Sequence, residues 1–156
     1  MKTFPVRFFF APLLSLSILP AFAATYPVDD SGSQVLDTSL NMKWDSVVPQ
    51  SGQQSGVTGV TTVLVRLNTA QWKGRQGRIY MTLPEQPAGA VVVTWATRGT
   101  LLPGALRSGE RTLVYGGALT GEVLEDTLRL SVQADGRRLT RTEQLRFSFE
   151  IDLETP

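Results

Sequence analysis

The residues able to do chemistry are few, and what is missing narrows the field first. The sequence has no cysteine and no histidine. That removes thiol nucleophiles, imidazole bases, histidine switches and the usual zinc ligand sets. Carboxylates remain, and the densest group is Glu122, Glu125 and Asp126. A glycosidase needs two carboxyls roughly 5–10 Å apart across its substrate. These three follow the turn signal Gly117-Ala118-Leu119-Thr120-Gly121, where acids ordinarily solvate a loop. No catalytic residue is assigned, and no enzyme activity is expected.

Two other clusters invite a binding reading. Residues 29–33 (DDSGS) look superficially like a calcium loop, but they lack the spaced acids and the closing Glu of an EF-hand. A soluble segment is the simpler reading, and neither a metal nor a cofactor is expected. Lys73, Arg75 and Arg78 lie close to Trp72. Basic residues beside an aromatic ring can bind a sugar or a nucleic acid. They equally describe a solvated loop with one Trp folded onto the edge of the core. Trp44 and Trp95 fall within strand patterns and read as core residues.

The N-terminus has the pattern of a secretory signal peptide over residues 1–23. Lys2 and Arg7 precede an apolar stretch, and Ala21-Phe22-Ala23 supplies the small-residue cleavage pattern. The apolar stretch is shorter than the ~20 residues of a spanning helix, and Pro12 and Pro20 interrupt it. Two of the fifteen basic residues leave with this segment, so thirteen bases face fourteen acids over residues 24–156. A net charge of about −1 argues against nucleic acid as the natural partner.

The elements that would position any site are strands. Residues 24–34 are polar and Gly-containing, and read as a flexible arm. Leu36, Thr38, Leu40, Met42 and Trp44 alternate with polar residues, as one face of a strand does. Residues 59–67 are rich in β-branched residues, and 78–83 and 111–115 are short strand patterns. Residues 90–97 (AVVVTWAT) form an apolar run that suits a strand buried on both faces. Residues 101–110 read as a loop. Leu128, Leu130, Val132 and Ala134 alternate up to Asp135-Gly136, the signal for a tight hairpin into the last strand. There Leu145, Phe147, Phe149, Ile151 and Leu153 share one face, between Arg146, Ser148, Glu150 and Asp152. About seven strands in one domain over 35–156 imply an all-β, immunoglobulin-like two-sheet sandwich. A small closed barrel is the other architecture this pattern allows.

Taken together, the arm, the strand pattern over 36–46, the phrase TLVYGGALTGEVLEDTLRLSVQADG (112–136) and the final LRFSFEIDL (145–153) resemble the cysteine-free subunits of chaperone–usher fimbriae. The resemblance implies a sandwich that lacks its last strand. It implies a groove walled by Leu145, Phe147, Phe149, Ile151 and Leu153, filled first by a periplasmic chaperone and then by the arm of a neighbouring subunit. In this chain the donor arm would use Tyr26, Val28, Gly32 and Leu36, although Asp30 and Gln34 share their face. The implied partners are the chaperone, an outer-membrane usher and neighbouring subunits, at the cell surface. An arm with polar residues on its donor face would suit a minor subunit. The competing expectation is a secreted sandwich that binds carbohydrate or protein, with Trp72 in its site.

Overall fold

The computed structural model describes residues 24–37, 39–45, 56–87, 89–138 and 144–154. Residues 1–23, the expected signal peptide, lie outside the described residues, as does most of the expected loop at 50–56. The strands are β1 (Thr25–Val28), β2 (Gln34–Val35), β3 (Lys43–Trp44), β4 (Gly56–Asn68), β5 (Gln76–Thr82), β6 (Val92–Thr97), β7 (Gly104–Arg107), β8 (Arg111–Ala118), β9 (Val123–Asp135) and β10 (Ser148–Leu153). A single 3-10 turn, Ala70–Trp72, is the only helical element among the described residues.

The strands form two antiparallel sheets, consistent with a β-sandwich. One has four strands in the order β1-β10-β5-β8. The other has six, ordered β2-β4-β9-β6-β7 with β3 also paired to β4. Alternation explains the core. Along β4, Val57, Val65 and Leu67 are buried while Val60, Leu64 and Arg66 face water. Ile79 and Met81 of β5, Val93 and Trp95 of β6, and Leu128, Leu130 and Val132 of β9 join the same cluster.

Five expectations are corrected. The Asp135-Gly136 hairpin does not form. β9 is paired with β4 along its whole length and with β6 on its other edge, so no edge is free for the last strand. The chain turns where the Arg137 amide donates to the Asp135 carboxylate at 3.1 Å and Gly136 does not take positive φ. It then joins the other sheet as β10.

The continuous strand expected from Leu36 to Trp44 is replaced by a strap that pairs with β4 at its two ends, as β2 and β3. Between them, the Thr61 hydroxyl donates to Asp37 at 3.0 Å. Leu40 and Met42 fold over Gly59, where a Cβ would come within 2.6 Å of the Met42 sulfur. The missing side chain of Gly59 is the space they occupy. Trp44, expected in the core, is 54% exposed.

β6 is buried on one face, not both: Val93 and Trp95 point inward, Thr94 and Ala96 outward. The expected loop at 101–110 contains β7, which pairs with β6.

Candidate strand-docking site

β10 is an inner strand. Its polar residues Ser148, Glu150 and Asp152 alternate with Phe149, Ile151 and Leu153, which are buried. Ile151 is 0% exposed, at the centre of the core. Leu145 and Phe147 precede the strand and pack half-buried against the same core. β5 pairs with one edge of β10, Ser148 opposite Thr82 and Leu153 opposite Gly77. The other edge carries β1, antiparallel, with Thr25 opposite Asp152, Tyr26 opposite Ile151, Pro27 opposite Glu150 and Val28 opposite Phe149.

This arrangement corrects the expectation of a loose arm beside an empty edge. Thr25–Val28 is ordered as a strand because its phase suits the edge it covers. Val28 is 6% exposed and faces the core. Tyr26 shares that face, 43% exposed, with its ring 6.3 Å from that of Trp72. The other two residues of the expected donor set lie elsewhere. Gly32 sits in the turn between β1 and β2, against Arg66, and Leu36 is exposed beside β4, its amide donating to the Thr62 carbonyl at 2.9 Å.

The hydrogen-bond phase of this edge is fixed. The Leu153 amide donates to the Ala24 carbonyl at 3.4 Å, and the Glu154 amide to Gln76 of the β5 side at 3.1 Å. In an antiparallel ladder the bonded pairs alternate. Phe149, Ile151 and Leu153 therefore aim their backbone groups at β1, and Ser148, Glu150 and Asp152 aim theirs at β5. Tyr26 and Val28 are the bonded partners on β1, so Pro27, which has no N–H, turns its nitrogen away from β10. Proline suits an edge strand in this orientation.

The outer face carries a polar network that sequence reasoning missed. Thr25 Oγ1 donates to Asp152 Oδ1 at 2.5 Å. Arg111 of β8 donates to Asp152 Oδ2 at 3.1 Å, lies 3.6 Å from Glu150, and stacks 4.3 Å above the Tyr80 ring. The hydrogen bond to Asp152 pushes the Arg111 guanidinium further above its ordinary value. Glu150 and Asp152 were legible as outward-facing residues, whereas the neighbouring Arg111 is supplied by sheet order.

β1 leaves the sheet at Asp29, whose carbonyl accepts the Asn68 amide at 2.9 Å. The Ser31 side chain and amide hydrogen-bond to the Asp29 carboxylate and hold it below the usual range. Asp30 is pushed above that range, chiefly by burial, with the Asp29 charge adding to it. Past Val28, no described strand pairs with residues 144–148 on the β1 side.

The other candidates are already engaged. Glu122 pairs with Lys73 at 3.0 Å, Glu125 with Arg66 at 3.2 Å, and Arg78 with Glu154 at 3.1 Å. Asp126 is buried and accepts the amides of Arg98, Leu101 and Thr127 at 3.3, 2.8 and 2.6 Å. The three acids thus have separate structural partners. Trp72 is 5% exposed and offers no open ring face. Trp95 is buried, with its indole N–H on the Leu102 carbonyl at 2.9 Å. No group of potential metal ligands converges among the described residues.

No protein-family model matches this sequence, and no curated protein or solved structure shows significant similarity to it.

Proposed function

We propose that this chain is a structural subunit of a chaperone–usher fimbria, built as an immunoglobulin-like sandwich and assembled by donor-strand exchange at the bacterial surface, where it contributes to adhesion. The observation that supports this reading is the seating of β1 on β10. A short N-terminal strand completes a sheet edge through backbone pairs and one buried side chain, Val28. Such an edge position is open to replacement by a strand from another chain, because main-chain pairing supplies affinity and alternating pockets supply selectivity. On this reading the place of the sandwich's last strand is held by the chain's own N-terminus until a chaperone, and then a neighbouring subunit, takes it. Head-to-tail contacts that do not close produce a fibre. The burial of Trp72 weighs against the sugar-binding alternative.

Periplasmic co-expression with a fimbrial chaperone and usher tests the reading. A one-to-one chaperone complex is expected from the whole chain and from a chain lacking residues 24–34, with incorporation beside a neighbouring subunit lost only in the latter. A chain that is never held by the chaperone and never enters a fibre overturns it.

A further inference from the structure

We infer that the outer face of the six-stranded sheet binds a linear acidic polysaccharide, held by unpaired arginines and seated in a cleft at one end of that face. This sheet does not contain β10, and its chemistry is the same whether or not β1 is exchanged.

Strand alternation and register set the surface. On β9, Arg129 lies exposed between the buried Leu128 and Leu130. It stands opposite Ala96 of β6. Arg98 continues the outward phase of Ala96, about 7 Å further along the strand direction. Arg107 of β7 stands opposite Val92, about 13 Å from Ala96 the other way. Thr62, Thr94, Ala96, Ala105 and Ser131 share the face, so the floor between the guanidinium groups is made of short side chains.

None of these three arginines has an ion-pair partner among the described residues. The acids of the face stand at its ends. Glu125 pairs with Arg66 at 3.2 Å at one end. Asp135 pairs with Arg138 at 3.8 Å at the other, where Asp45 lies against Gly56. On the opposite sheet the cations are already neutralised, Arg78 by Glu154 and Arg111 by Asp152. Uncompensated positive charge thus gathers on one face of a chain that has no net positive charge over residues 24–156.

Past Arg129 the face ends in a cleft of about 430 Å³ whose lining includes Gln34, Leu64, Arg66, Arg98, Glu125 and Thr127. Small-ligand sites have volumes of roughly 300–1,000 Å³. Glu125 is held by Arg66, and the Asp126 carboxylate accepts three backbone amides. The Arg98 guanidinium, the Gln34 amide and the Thr127 hydroxyl keep free hydrogen-bonding capacity. Together they offer a planar fork for a carboxylate and donors and acceptors for ring hydroxyls, with Leu64 as an apolar wall. One acidic sugar residue would occupy the cleft, and the rest of the chain would cross the short floor towards Arg129 and Arg107. Nucleic acid is the other extended polyanion. Single strands are held by aromatic stacking, and the one aromatic residue of β4, β6, β7 and β9 is Trp95, which is buried.

Fluorescence anisotropy of a labelled galacturonic acid octasaccharide with the chain 24–156 tests the assignment. Binding is expected, weakening as salt rises, with none of an uncharged maltooctaose. Arg98→Gln, Arg107→Gln and Arg129→Gln together should weaken it at least about tenfold through lost charge-assisted hydrogen bonds. Lys73→Gln, Arg75→Gln and Arg146→Gln together remove the same charge from elsewhere and should change it less than about twofold. On the parent chain, amide chemical shifts should move at Thr94, Ala96, Gly99 and Thr127. Absent binding, equal binding of maltooctaose, or equal loss in both triple variants overturns the inference. Shift changes centred on β10 or on the Trp72 turn overturn it as well. Tighter binding of a single-stranded oligodeoxythymidylate of equal charge assigns the face to nucleic acid and overturns the ligand class.

Discussion

The Asn68 amide donates to the Asp29 carbonyl at 2.9 Å, immediately after Val28 has taken its place opposite Phe149. This bridge joins the end of the edge strand in one sheet to the last residue of β4 in the other. β1 is thus tethered at one end and otherwise held by a short ladder. Segments with so few contacts open at lower free energy than the core strands beneath them.

Val28→Asp should release β1 while the sheets persist, because it places an unpaired carboxylate at a buried edge position. Hydrogen exchange should accelerate at Phe149, Ile151 and Leu153 and stay slow at Glu150 and Asp152. Uniform acceleration along β10 would mean that β1 is integral to the fold and not a separable strand.

Pro27 caps the open edge of the four-stranded sheet by removing an outward N–H. Pro27→Val should restore that donor and leave pairing with β10 intact. An unblunted edge invites pairing with another chain. Concentration-dependent association is expected in sedimentation velocity, against a monomer for the parent chain, and an unchanged monomer would contradict the role given to Pro27.

Trp72 distinguishes packing from ligand binding. Large aromatic-to-Ala changes in a core cost about 3–5 kcal/mol. Trp72→Ala should therefore lower the urea midpoint steeply, and Tyr26→Ala, whose ring is half in solvent, much less. A Trp72→Ala chain that keeps its stability but loses affinity for a glycan would revive the binding-module reading.

Asp126 secures the turn after β6 through the backbone amides of Arg98 and Leu101, and also accepts the amide of its neighbour Thr127. Leaving buried donors without an acceptor costs about 1–3 kcal/mol. Asp126→Ala should destabilise the chain by about that amount in urea titrations, whereas Glu125→Ala, at an exposed ion pair, should cost about 0–1 kcal/mol.

Gly136 is fixed by its neighbours and not by its backbone angle. A Cβ there would come within 2.5 Å of the Trp44 ring and 2.7 Å of Val57. Gly136→Ala should cost about 1–3 kcal/mol through overpacking. The added change Trp44→Ala should recover part of that loss, a coupling measurable in a double-mutant cycle.

Much of the strand content was legible, since it depends on alternation along the chain. Phe149, Ile151 and Leu153 read as one buried face, and they are. Val65 and Leu67, and Leu128, Leu130 and Val132, follow the same rule. The strap from Leu36 to Trp44 shows where this signal fails. Its alternation is as regular as that of β10, yet Gly59 opens a hollow that draws Leu40 and Met42 out of a continuous ladder. A local pattern records which residues prefer burial, but not whether a neighbouring strand has a free edge to pair with.

The candidate site divides along the same line. The sequence by itself determined the apolar face from Leu145 to Leu153, the phase that Tyr26 shares with Val28, and the polar residues that interrupt that phase at Asp30. Tertiary structure decided that β9 and β10 would separate into different sheets, because β4 and β6 already occupy both edges of β9. It also decided that Thr25–Val28 would take the remaining edge of β10 and that Arg111 would reach Asp152 across the sheet. Periodicity is a property of one segment, whereas an occupied edge is a property of three strands at once.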